Sequence, residues 1–294
     1  MNGAESLART LLGAGVDTCF ANPGTSEMHF VAALDRVPGL RCVLGLAETV
    51  VAGCADGYGR VAGRPAATLL HCGPGLGNGI ANLHNARRAD TPIVNVVGDH
   101  ATWHRPYDPP LAADTEALAR TVSRWVRVAR DAASVGRDAS EAVQAALAPP
   151  GGIATLILPA DCAWNEGGAE AGPREARART EVDAARIDAA VRALRSREPA
   201  VLMLSGVALR EAGLHQAQRI SHASGARLNR QRARVASPVH VVHLLTLLAS
   251  APPSALCALA AARRPDESFR VEMIAVLPHR QPRPTRDRRP SCRC

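Results

Sequence analysis

The stretch from Leu44 to Asn78, LGLAETVVAGCADGYGRVAGRPAATLLHCGPGLGN, constrains the fold more than any other part of the chain. A short apolar run, Cys42 to Leu46, ends near a lone acid, Glu48, and a helical pattern follows from Thr49 to Arg60. A second apolar run, Ala66 to Cys72, reads as a buried strand. The glycine-dense segment His71-Cys72-Gly73-Pro74-Gly75-Leu76-Gly77-Asn78 reads as a turn into a helix from about Asn78 to Arg88. An acid with apolar neighbours (Ala47, Val50, Val51, Ala52) at a strand end is partly desolvated, which raises its pKa and suits it to sharing a proton.

The same alternation continues on both sides. Ala4 to Ala14 reads as an amphipathic helix and Val16 to Ala21 as a strand, followed by the turn Asn22-Pro23-Gly24-Thr25-Ser26 and a helix from Glu27 to Leu34. A strand over Ile93 to Val97 leads to Gly98-Asp99-His100. Short buried strands alternating with helices imply an α/β fold, a parallel sheet with helices on both faces. In such sheets ligands collect outside the carboxyl ends of the strands, so Asn22 to Ser26, Glu48, His71 to Asn78 and Gly98 to His100 are expected on one rim.

Ala101 to Leu111, rich in proline and aromatics, reads as a lid or an interface loop. Helices over Asp114 to Val128 and Ala139 to Leu147 and a strand over Ile153 to Leu158 complete a first domain, 1–165. A glycine-bearing linker, 166–182, leads to the start of a second α/β unit, 183–228: helix Asp183 to Arg195, strand Ala200 to Leu204, helix Ala208 to Ser221. Residues 229–294 read as an irregular Arg/Pro-rich tail with one short helix over Val239 to Leu248.

Charge separates the same regions. Residues 1–228 carry 23 Arg against 23 Asp and Glu, whereas 229–294 carry 12 against 4, so the net charge of +8 lies in the last part. Arginine with proline could neutralise phosphates, but the segment is nearly without aromatics and has no nucleic-acid reading motif, which speaks against that partner. Eight scattered cysteines read as free thiols in a reducing cytoplasm. The first residues show no signal-peptide pattern, and no 18-residue apolar run lacks proline or charge, so no membrane partner is expected. Gly73-Pro74-Gly75-Leu76-Gly77 with Asp99 imitates an NAD(P)-type dinucleotide fingerprint, the alternative reading, but Asn78 stands where its last glycine belongs. No metal-ligand set is read: His100 and His104 lie in a proline-bearing loop, and Cys292 and Cys294 have no partner pair.

NPGTSE at 22–27, AETVVAGCADGYGR at 47–60, HCGPGLGN at 71–78 and ADTPIVNVVGDH at 89–100 together resemble the N-terminal pyrimidine-binding domain of thiamine-diphosphate enzymes, close to acetolactate synthase large subunits and benzoylformate decarboxylases. The resemblance covers about residues 2–165, and the start of the middle domain over 183–227. It implies a lyase or carboligase acting on a 2-oxo acid, with thiamine diphosphate and Mg2+ as cofactors, in a homodimer or homotetramer. Glu48 takes the place of the glutamate that bonds the aminopyrimidine nitrogen and assists ylid formation. His71 matches a proton-relaying histidine, and Thr25 a position over the reacting carbon that can meet a substrate carboxylate. Pro23, Gly24, Gly73, Pro74, Gly75 and Asn78 would line the cofactor ring. Taken without the family, Glu48 is a helix N-terminal carboxylate, His71 a structural strand-end histidine and Thr25 an ordinary turn or cap. Asp99 and His100 stand where many relatives have Gln. The family's diphosphate grip, a GDG followed by Asn, does not occur in these residues. A chain truncated by a shift of reading frame near 228, inactive alone and prone to self-association through an apolar patch on the 47–60 and 78–88 helices, is therefore expected.

Overall fold

The computed structural model describes residues 1–175, 181–196, 198–230 and 275–278, divided into two compact units near residue 180. The first unit is built on six parallel strands: β1 (Thr18–Asn22), β2 (Arg41–Leu44), β3 (Ala66–Leu70), β4 (Ile93–Asp99), β5 (Trp125–Val128) and β6 (Ile153–Pro159). Their order across the sheet is β2-β1-β3-β4-β6-β5.

Helices cover both faces. α1 (Gly3–Gly13), α2 (Met28–Arg36), α6 (Ala132–Leu147) and α7 (Ala160–Trp164) enclose a core of Leu7, Leu11, Phe30, Leu69, Val94, Val96 and Leu156. α3 (Glu48–Ala62), α4 (Cys72–Arg88) and α5 (Thr115–Val122) enclose Val51, Leu70, Leu76, Leu83, Ile93, Val97 and Ile157 on the other. Alternate residues of each strand feed the two cores, so β3, β4 and β6 are buried throughout and read as nearly continuous apolar runs. A polar chain crosses this interior: Thr68 Oγ1 donates to Asn95 Oδ1 (2.6 Å), and Asn95 Nδ2 donates to Thr155 Oγ1 (2.9 Å). Each member is satisfied by its neighbour on the next strand, which is what makes its burial tolerable.

The chain leaves β1 for the edge strand β2 and then crosses back to β3, so the strand order reverses on either side of β1. This topological switch opens a crevice between the carboxyl ends of β1 and β3, where Asn22 to Glu27 and His71 to Asn78 emerge. The sheet therefore brings the four polar strand ends to one rim.

Four local readings of the sequence are corrected. β2 is a four-residue, largely exposed edge strand, not a buried one. The helix expected to run to Val128 stops at Val122, where Ser123 caps it, and Trp125–Val128 forms an additional edge strand. α6 starts seven residues before the expected Ala139, capped by Asp131, whose side chain accepts from Ser134 N. α4 starts at Cys72 rather than Asn78, so the glycine segment is helix and not turn. Pro74 fits because the first helical turn has no partner for its missing N–H.

The stretch after α7, assigned to a linker from 166, runs back along α1 and α6. Gly168 N donates to Met1 O (3.0 Å), Ser6 Oγ to Ala169 O (2.6 Å), Ser140 Oγ to Gly172 O (2.7 Å) and Gln144 Nε2 to Glu175 O (2.8 Å).

The second unit contains α8 (Ala184–Arg195), β7 (Ala200–Leu204), α9 (Glu211–Ser224) and β8 (Arg227–Arg230), one strand more than the sequence pattern announced. β8 runs parallel to β7, and β9 (Ala275–Pro278) pairs antiparallel on its other side. That last strand falls in the segment expected to be irregular. The helix expected over 239–248 and the rest of 231–274 and 279–294 lie outside the described residues. Among the described residues no helix is long and apolar enough to cross a membrane.

Candidate active site

The rim carries two glutamates in different surroundings. Glu27 closes the short 3-10 turn Thr25–Glu27 after β1, and only 3% of it is exposed. Its Oε2 accepts from Gly24 N at 2.8 Å and meets His71 Nδ1 at 2.7 Å. Burial, the larger effect, pushes the Glu27 carboxyl above its ordinary 4.5, opposed by the Gly24 N–H and by His71.

Two glycines make this pocket possible. A Cβ on Gly98 of β4 would fall 1.6 Å from Glu27 Oε1, and one on Gly24 would lie 2.4 Å from the His71 ring. The backbone is bare at these points so that the carboxylate and imidazole can sit against it.

Glu48 is the first residue of α3 and is half-buried. Asn78 Nδ2, from the second turn of α4, donates to its Oε2 at 3.1 Å. Its Oε1 projects over Gly75, where a Cβ would come within 3.0 Å of it and 3.4 Å of His71 Cβ. Gly75 therefore adjoins both Glu48 and His71, and His71 in turn meets Glu27. Thr49 Oγ1 donates to Asn78 O (2.6 Å) and Asn82 Nδ2 to Thr49 O (2.7 Å), which fastens α3 to α4 beneath the site. The apolar neighbours expected to desolvate Glu48 do not enclose it. Ala47 and Val50 face outward, and Leu46 is 91% exposed, so the burial expected around Glu48 is found at Glu27 instead.

The other expected residues divide between these groups. Pro23 and Gly24 form the turn against His71, and Gly73, Pro74, Gly75 and Asn78 lie in the first two turns of α4. Gly73 is bare because Ala113 packs there, 2.4 Å from the position of a Cβ. Cys72 holds a left-handed backbone, φ 52°, and its thiol contacts Ser26 Oγ at 3.4 Å. Thr25 is exposed and lines a separate open pocket with Ser26, His100, Ala101, Trp103, His104, Ala160 and Trp164. The loop from Ala101 is tied to α7 by Thr102, whose N–H and hydroxyl both donate to Asp161. Asp99 is buried, accepts from His100 N at 2.8 Å and faces Arg105 at 3.4 Å.

Sequence reasoning missed Glu27 and Gly98. Glu27 was read as the start of a helix and the end of the NPGTSE segment, with no role of its own, although an acid three residues after the turn glycine is the pattern of a side chain reaching back to a backbone N–H. Among the described residues Glu27, His71 and Cys72 also bring three possible metal-ligand atoms within 4.8 Å of one another, a grouping no sequence spacing announced. The Glu27–His71 bond already engages two of them.

Residues 1–120 match the family model described as "Thiamine pyrophosphate enzyme, N-terminal TPP binding domain". Over those residues the chain is similar to that domain. A Mycobacterium tuberculosis protein provisionally named acetolactate synthase large subunit IlvX is 58% identical over 77% of this chain and 44% of its own length. Benzoylformate decarboxylase of Pseudomonas aeruginosa is 35% identical over 50% of this chain and 28% of its own length. The solved structure of a thiamine diphosphate-dependent 4-hydroxybenzoylformate decarboxylase from Rhodococcus jostii RHA1 superimposes with a TM-score of 0.69 at 26% identity, over 78% of this chain and 44% of that one. The chain thus spans less than half the length of these relatives.

Proposed function

We propose that this chain supplies the pyrimidine-binding half of a thiamine-diphosphate-dependent lyase or carboligase acting on a 2-oxo acid. The observation that carries the reading is the Glu48 carboxylate: one oxygen is fixed by Asn78 and the other projects over the bare Gly75 backbone. A bare backbone beside a carboxylate suits a flat heteroaromatic ring. A side chain at Gly75 would occupy the space, and a carboxyl group at its edge can share a proton with a ring nitrogen.

When bound, the cofactor supplies the stabilisation of negative charge needed to break or form the bond beside a 2-oxo group. The chain's own residues then have separate tasks. Glu48 holds or gives up a proton at Oε1 while Asn78 keeps the carboxylate aimed. Glu27, sealed behind His71, holds Nδ1 and so leaves Nε2 as the nitrogen for proton exchange with substrate. Thr25 lines the neighbouring open pocket with His100 and Trp103, where a substrate carboxylate could be received.

The GDG element that the family uses to hold the diphosphate end and its Mg2+ does not occur in these residues. The proposed activity accordingly depends on that grip being supplied from elsewhere. Leu44, Leu46, Val50 and Val61, exposed by 68, 91, 51 and 85%, offer an apolar surface at the end of β2 and on α3 for a second copy. α4 adds little to that surface, since Leu76 and Leu83 are buried and Ile80 is half-buried. A cytoplasmic setting agrees with the five free cysteines among the described residues.

Isothermal titration of the full chain with thiamine diphosphate and Mg2+ tests the division of labour. No micromolar binding is expected; micromolar binding would refute the reading that the diphosphate grip lies outside these residues.

A further inference from the structure

The outer strand pair of the sheet contains a second reactive arrangement that the cofactor reading does not use. The register of β1 on β2 places Cys19 directly opposite Cys42. Adjacent strands lie about 4.8 Å apart, inside the Cα separation of about 4.4–6.8 Å that a disulfide spans. Residues in register on parallel strands project from the same face. Cys19 is fully buried in the α1 and α2 core, whereas Cys42 is exposed on the edge strand. Cys19 Sγ itself contacts Phe20 O at 3.8 Å.

Electrostatics separates their roles. The Cys19 thiol on the neighbouring strand brings the Cys42 thiol down to about 7, against the opposing effect of burial. Cys19 is pushed well up, first by Cys42 and then by burial, and stays a thiol. The other buried cysteines are held inert by burial, with Cys72 pushed up to about 11 and Cys162 to about 12. An accessible thiol of lowered pKa paired in register with a buried thiol is the arrangement thiol–disulfide exchange requires.

We propose that Cys19 and Cys42 form a thiol–disulfide exchange site that reacts with low-molecular-weight disulfides and closes to an intramolecular bond. The Cys42 thiolate attacks one sulfur of the small disulfide, forming a mixed disulfide and releasing one thiolate. Cys19 then gives up its proton and attacks Cys42 Sγ, closing the 19–42 bond and releasing the second thiolate. The protein dithiol loses two electrons and two protons, and the small disulfide gains them as two thiols. The new bond would fasten β2 to β1 just before the contacts that lead into the rim, Gly45 N to Ala21 O (2.8 Å) and Asn22 Nδ2 to Gly45 O (2.7 Å). The site is independent of cofactor binding.

The test uses the full chain, incubated in a glutathione redox buffer at pH 7, quenched by alkylation and mapped by mass spectrometry. A peptide cross-linked between Cys19 and Cys42 is expected under oxidising conditions, reversed by dithiothreitol. In the reduced protein Cys42 should alkylate a few-fold faster than Cys54, the exposed cysteine of α3. In Cys19→Ala the cross-link should give way to a stable glutathione adduct on Cys42. A wild-type protein that stops at the Cys42–glutathione adduct, or alkylates at Cys42 no faster than at Cys54, overturns the proposal. Both readings come from the wild type and survive a variant that fails to fold.

Discussion

Glu27 and Glu48 follow neighbouring strands of one sheet and reach one rim, yet the structure treats them oppositely. Glu27 is sealed, with a backbone N–H and an imidazole on the same oxygen and a bare glycine against the other. Glu48 is half-buried, anchored through one oxygen only, with the second left over a glycine surface. A sealed carboxylate is committed to the fold and to the group it holds. An anchored but open one is available to a ligand. The difference lies in the glycines: Gly98 lets β4 close over Glu27, and Gly75 keeps α4 clear of Glu48.

Adding a methyl group at each glycine is the sharpest way to break this contrast. Gly98→Ala should cost about 3 kcal/mol in urea unfolding, because the new Cβ would collide with the buried carboxylate and nothing around it can yield. A variant as stable as the parent would mean that Glu27 is not held as described.

Glu27→Gln probes the sealed side next. Burial raises the folded carboxyl above 4.5, so the contribution of this group to stability is fully present below about pH 4.5 and is lost as pH rises through the raised value. Stability of the wild type relative to Glu27→Gln should therefore fall with rising pH in that window, by at most about 1.4 kcal/mol per pH unit. A flat difference in unfolding free energy across the window would contradict the burial argument.

On the open side the expected effects on stability shrink. Gly75→Ala meets the end of the flexible Glu48 side chain at 3.0 Å and His71 Cβ and Leu70 C at an ordinary 3.4 Å, so the urea midpoint should hold or rise, since alanine favours a helix by about 0.5–1 kcal/mol. Glu48→Gln should change unfolding free energy by about 0.5 kcal/mol or less, because the group is half-exposed with a single side-chain partner. A loss comparable to that at Gly98 in either variant would erase the distinction between the two acids.

The sequence made the central sheet legible for a physical reason. β3 and β4 are buried on both faces, so every residue from Ala66 to Leu70 and from Ile93 to Val97 had to be compatible with a core. β2 and β5 lie at the edges of the sheet, where that requirement is relaxed. One was read as buried and the other as helix. Gly73, Pro74 and Gly75 were taken as a turn because glycine and proline usually punctuate chains; here they begin a helix that must leave room for Ala113 and Glu48. The position of Glu48 beside His71 and the glycine segment was readable because parallel strands end on one rim. Glu27 was hidden, since its importance comes from Gly98, distant in sequence and brought close only by the pairing of strands.

Saturation-transfer NMR of free thiamine with the full chain tests the account most directly, because the ring reports on the open glutamate without the diphosphate. Magnetisation should pass to the pyrimidine protons in the wild type and disappear in Glu48→Gln, whose urea midpoint stays within experimental error of the parent. Transfer that persists undiminished in Glu48→Gln would contradict the assignment of this carboxylate to the ring.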